Sequence, residues 1–130
     1  MITLTQARDL LREELLAVAA AAVPGHNGVV THDAGPVNPR VLEDGSGPAT
    51  VCLITVENGD PAVVDPRGQV AAAVAALTER GWQAEVQPVE SGHHRASANR
   101  DGFGIVVHGW DGEWRLTLSG QTPEITGQPQ

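Results

Sequence analysis

The chain has 130 residues, with 16 acidic and 8 basic side chains and a formal charge of -8. That length suits one domain. The acidic balance excludes a generic binder of nucleic acid or of anionic membrane, since both need clustered positive charge. Cys52 is the only cysteine, so neither an internal disulfide nor a cysteine zinc site is available, and its apolar neighbours mark it as a core residue.

The first predicted element is a helix capped at Thr3 or Thr5. Leu11, Leu15, Val18 and Ala22 recur at helical spacing, and Pro24-Gly25 stops it. Residues 25–48 are rich in glycine and proline, with short strands expected near Val29–His32 and Arg40–Leu42. Ala49 to Val56 is apolar on both faces and predicts an interior strand. Asn58-Gly59 signals a hairpin whose return is Ala62–Val64. Asp65-Pro66 pairs an N-cap with a proline at the first helical position, and Gly81 closes that second helix. Trp82 to Val89 alternates as a strand.

Two Asp-Gly turns follow, at Asp101-Gly102 and Asp111-Gly112, each between alternating segments. Reading both as two-residue loops fixes a register. The first pairs Arg100 with Phe103 and, outward, Arg95 with His108 and His93 with Trp110. The second pairs Trp110 with Glu113 and His108 with Arg115. One face then holds Ala96, Ala98, Phe103, Ile105, Val107, Trp114, Leu116 and Leu118, apolar throughout, so it must meet the helices. The expected architecture is α+β: an antiparallel sheet of about four to six strands with two α-helices on one face, over residues 1–126, and a disordered tail at 127–130.

The opposite face carries His93, Arg95, His108, Trp110 and Arg115. On an acidic chain this is a local positive island around an exposed tryptophan. Tryptophan and arginine are the residue types that most often anchor interfaces. The plainer alternative is a solvated sheet face, because isolated exposed apolar residues are common. No serine-nucleophile or phosphate-loop motif is present, and the neighbouring His93 and His94 diverge as strand residues do, so no catalytic residue, cofactor or metal site is assigned.

Asp65-Pro66 before an alanine-rich helix, Gly81-Trp82 opening a strand, and the run Trp114-Arg115-Leu116-Thr117-Leu118-Ser119-Gly120-Gln121-Thr122-Pro123 carry a resemblance. The second half resembles small α+β domains of actinobacterial lipoprotein type. Where such endings continue into a cysteine, this chain has Glu124. The resemblance implies a fold and, with an upstream signal removed, a secreted or cell-envelope location; the residues as they stand read as cytoplasmic, with no integral membrane segment.

The resulting expectation is a non-enzymatic interaction protein. Its exposed sheet face would take a protein partner with an acidic surface, not nucleic acid. The alternatives are a small-ligand binder or enzyme with a cavity between helices and sheet, and an envelope lipoprotein domain.

Overall fold

A computed structural model describes residues 4–37, 49–123 and 125–126 of the chain. The elements run α1 (Leu4–Ala22), β1 (Val29–Val37), β2 (Ala49–Gly59), α2 (Pro66–Glu79), β3 (Gln83–Val86), β4 (His93–Arg100), β5 (Phe103–Trp110), β6 (Arg115–Gln121) and β7 (Ile125–Thr126). The strands lie in the order β1-β2-β6-β5-β4-β3, and β7 pairs with the start of β2. Every pairing is antiparallel. Both helices pack against the sheet, which gives the expected α+β fold.

The core forms where the helix stripes meet the apolar sheet face. Leu11, Leu15 and Val18 of α1 and Val70, Ala73 and Leu77 of α2 bury against Ile54, Val56, Ile105, Val107, Leu116 and Leu118. Each such leucine or isoleucine, fully buried, is worth about 1.5–3 kcal/mol. Small residues let the layers close. A Cβ on Gly120 would sit 2.8 Å from Leu11 Cδ1 and 3.0 Å from Leu15 Cδ1, so α1 rests on bare backbone there. Trp82 and Phe103 meet edge to face at 6.4 Å within the same core.

One buried polar knot ties both helices to β4. Glu14 of α1 accepts from Arg80 Nε at 3.0 Å, from Arg80 Nη2, and from Trp82 Nε1 at 3.0 Å. The Arg100 guanidinium lies over the Trp82 ring at 5.1 Å and donates to Arg80 O at 2.7 Å. The hydrogen bonds from Arg80, above all, hold the Glu14 carboxyl below the usual glutamate range, against the opposing pull of burial.

Asp65 caps α2 through its side chain on Gly68 N, and Gly81 adopts φ +88 just past the helix end, as expected. Helix α1 already includes Thr5, and Thr3 lies outside the described residues, as do the expected strand at Arg40–Leu42 and the tail at 127–130. The Cys52 backbone is in β2, but its side chain is outside what is described.

Two turn expectations need correction. Asn58-Gly59 does not reverse the chain into a paired return strand; β2 runs through Gly59, and only an isolated bridge links Asp60 to Val63. The Asn58 amide is spent elsewhere, donating to Ala19 O at 2.8 Å and His26 O at 3.0 Å, where it fastens the end of α1.

The Asp111-Gly112 turn is also not a two-residue loop. Asp101 and Gly102 both have positive φ, as a type I′ turn requires, but at the second turn only Gly112 does. Asp111 is held instead by His94 Nε2 at 2.6 Å and by its own N–H to Gly92 O at 2.8 Å. The loop therefore takes in residues 111–114, and Val107 pairs with Leu118, two residues further along than expected. A two-residue slip keeps every side chain on its face, so Leu116 and Leu118 stay in the core. Trp114 falls in the loop, half-buried and outside the core.

Candidate functional site

The sheet face turned away from the helices is built row by row by the register. Along β5 it presents Gly104, Val106, His108 and Trp110; β4 adds Asn99, Ser97, Arg95 and His93 opposite them. On the other side β6 adds Gln121, Ser119 and Thr117. Beyond β6, β2 sets Leu53, Thr55 and Glu57 in the same three rows.

His93, His108 and Trp110 form one assembly. The His93 and His108 rings are 5.0 Å apart between centroids and 12° from parallel, with Nε2 and Nδ1 at 2.8 Å. Those values place the two imidazoles edge to edge, sharing one hydrogen bond. One ring donates its N–H and the other accepts, so the pair holds one bridging proton; full protonation of both would set two N–H groups against each other. The Trp110 ring lies parallel to His93, 3° off and 4.7 Å away, and remains 41% exposed. Burial, then the nearby charges of His93 and Arg95, lower the His108 pKa from its ordinary value, so this imidazole stays neutral at pH 7.

All five residues expected on this face keep it, and His93, Arg95, His108 and Trp110 gather on its β4–β5 part. Arg95 is exposed and directly opposes His108. Arg115 differs in register alone and turns toward β2. The wider loop moves it out of register with His108, its guanidinium stacks on Trp114 at 5.0 Å, and it reaches Glu57 Oε1 at 3.5 Å. It lines a separate hollow of about 410 Å³ with Trp114, Glu57 and Val29.

His93 and His94 diverge as strand neighbours must. His94 is buried on the helix side, bound to Asp111, and its Nδ1 has no partner. His26 pairs with Asp60 at 3.3 Å. Among the described residues, no three His, Cys, Asp or Glu side chains gather as a metal site.

A trough of about 620 Å³ continues the open face beyond Val106, along Ser97, Asn99, Ser119, Gln121, Thr55 and His32. Reading the sequence missed it because the assumed register left Gln121 unpaired. The pairing of Asn99 with Gly104 was implicit in the first turn and was the available signal. The expected cavity lay between helices and sheet; this trough lies on the opposite side.

No family model and no curated protein matches the sequence. One solved structure does share the fold. It is the "putative lipoprotein LppA" from Mycobacterium tuberculosis, with a TM-score of 0.57 at 14% identity, covering 96% of this chain and 79% of that one. At that identity the likeness concerns the fold alone. With the resemblance noted in the second half, it supports a weak lipoprotein-like likeness and no more. No helix among the described residues is long and apolar enough to cross a membrane.

Proposed function

We propose that this chain is a non-enzymatic binding domain that presents its open sheet face to a protein partner with an acidic surface. The observation that carries the reading is Trp110, held parallel to His93 beside the His93–His108 pair and still 41% exposed on a face that neither helix covers. A rigid aromatic loses little conformational entropy on binding, which suits an anchor. Arg95 beside it supplies local positive charge on an otherwise acidic chain. The test is capture of partners from native lysate by the wild-type domain, Trp110→Ala and an exposed helix control, Thr78→Ala. A specific partner retained by wild type and Thr78→Ala, lost by Trp110→Ala and weakened by salt supports the proposal. Equal retention by all three contradicts it.

The fold shared with LppA supports a second reading, of place and not of chemistry: the domain works at the cell envelope. Fractionation of the native protein tests this. Recovery with the envelope agrees, and recovery wholly in the cytoplasm refutes it.

A further inference from the structure

The trough offers a chemistry different from the Trp110 end of the same face, and the inference drawn from it stands independently of the protein-partner reading. The register sets Asn99, Gly104 and Gln121 in one row and Ser97, Val106 and Ser119 in the next. Two amides thus flank a glycine, and two hydroxyls flank a valine. The flanking strands β4 and β6 lie roughly 10 Å apart, twice the spacing of neighbouring strands. A Cβ built on Gly104 meets nothing within 4 Å, so the floor drops open between the amides. Gln87 Nε2 donates to Ser97 Oγ at 3.0 Å, which leaves the Ser97 O–H to donate toward the trough.

Charge is missing from this place. Among the described residues no aspartate, glutamate, lysine or arginine lines the trough, on a chain where such residues make up 18%, and His32 is its one titratable side chain. Charged side chains stand at its margins, among them Arg95 one row along β4 and Glu85 opposite Ser97 on β3. Among the described lining residues an ionic ligand would find no carboxylate, lysine or arginine, and only the His32 imidazole at one end. A purely apolar one would strip water from the amides and hydroxyls and give nothing back, at about 1–3 kcal/mol for each group left unpaired. A peptide strand needs a recess under every second residue, and here one recess at Gly104 is followed by the Val106 side chain. What fits is a disc-shaped neutral molecule, with C–H groups on its underside and hydroxyls around its edge.

We infer that the trough is a binding site for an uncharged, hydroxyl-rich ligand, a neutral sugar ring seated over Gly104 and Val106 between the Asn99–Gln121 amides and the Ser97–Ser119 hydroxyls. The test is an NMR titration of the ¹⁵N-labelled domain with maltose and methyl mannoside, and with glucuronic acid as the charged counterpart. The neutral sugars shift the side-chain amides of Asn99 and Gln121 and the backbone amide of Gly104; glucuronic acid shifts them less at equal concentration. Removing either amide weakens binding about threefold to tenfold, the worth of one neutral hydrogen bond. Gly104→Val keeps the fold, because its side chain enters open space and suits a strand, and it abolishes the shifts. Trp110→Ala leaves them intact, so failure here is distinguishable from failure of the partner reading. The inference is overturned if neither neutral sugar moves these resonances, if the shifts survive in Gly104→Val, or if an uncharged acetylated peptide moves them and the sugars do not.

Discussion

Glu14 gives the sharpest test of how the fold is held. Glu14→Gln keeps an oxygen for Trp82 Nε1 and for one arginine N–H, but removes the charge that both arginines face. The Glu14 side chain is 9% exposed and that of Arg80 is 37% exposed. The penalty of about 3–5 kcal/mol for breaking a fully buried pair must therefore be discounted for solvent around Arg80. About 1–2 kcal/mol is expected for Glu14→Gln. Glu14→Ala also orphans the buried Trp82 N–H, which adds about 1–3 kcal/mol. In a domain of this size 1 kcal/mol moves Tm by about 4 °C, so calorimetry at pH 7 reads a fall of about 4–8 °C for Gln and a larger one for Ala. The pH dependence fixes the cause. The folded-state pKa of Glu14 is lowered, so its contribution is full above the ordinary glutamate pKa of about 4.3 and is lost as pH falls through the folded value. Wild type and Glu14→Gln converge in acid. A Glu14→Gln variant as stable as wild type at pH 7, or a gap that persists unchanged in acid, refutes the reasoning.

Other expectations follow from single sites. The His108 pKa is lowered, so the folded state resists the proton. Stability is complete at higher pH, begins to fall as pH drops below the ordinary histidine value of 6.5, and levels off once the pH is below the folded value. His108→Gln, which keeps a hydrogen-bonding partner for His93, flattens denaturant midpoints over that window; an unchanged slope refutes the assignment. Gly120→Ala pushes a methyl group against Leu11 and Leu15, and overpacking costs about 1–3 kcal/mol in urea unfolding. A neutral Gly120→Ala means that α1 does not rest on β6. Trp110→Ala loses ring stacking worth about 0.5–1.5 kcal/mol and stays folded; its unfolding would show that Trp110 belongs to the core.

The legible parts of this fold were those fixed by local chemistry. Asp101-Gly102 is a turn that satisfies itself, and counting outward from it placed Arg95 against His108 and His93 against Trp110 as the structure does. The apolar face followed, because alternation in β4, β5 and β6 leaves one solution with a dry side. Asp111-Gly112 looked the same but is governed by a long-range partner. His94, on a different strand, captures the Asp111 carboxylate, and no local pattern announces that. The consequence was confined to register. Trp114 left the core and Arg115 lost its pairing with His108, while the faces of Arg115, Leu116 and Leu118 survived because a two-residue slip preserves them. Asn58 misled for the same reason: its amide serves carbonyls of Ala19 and His26, remote in sequence. The trough depended on Gln121 meeting Gly104, which only the corrected register brings together.

We propose that the open sheet face is the working surface. It is tested most directly by placing a photo-cross-linking amino acid at Thr117, beside His108 on that face, and at Thr78, exposed on α2, and irradiating native cells. A discrete adduct is expected from position 117, lost when Trp110→Ala is added, and none from position 78. Adducts from position 78 alone, or an adduct at 117 indifferent to Trp110, would contradict it.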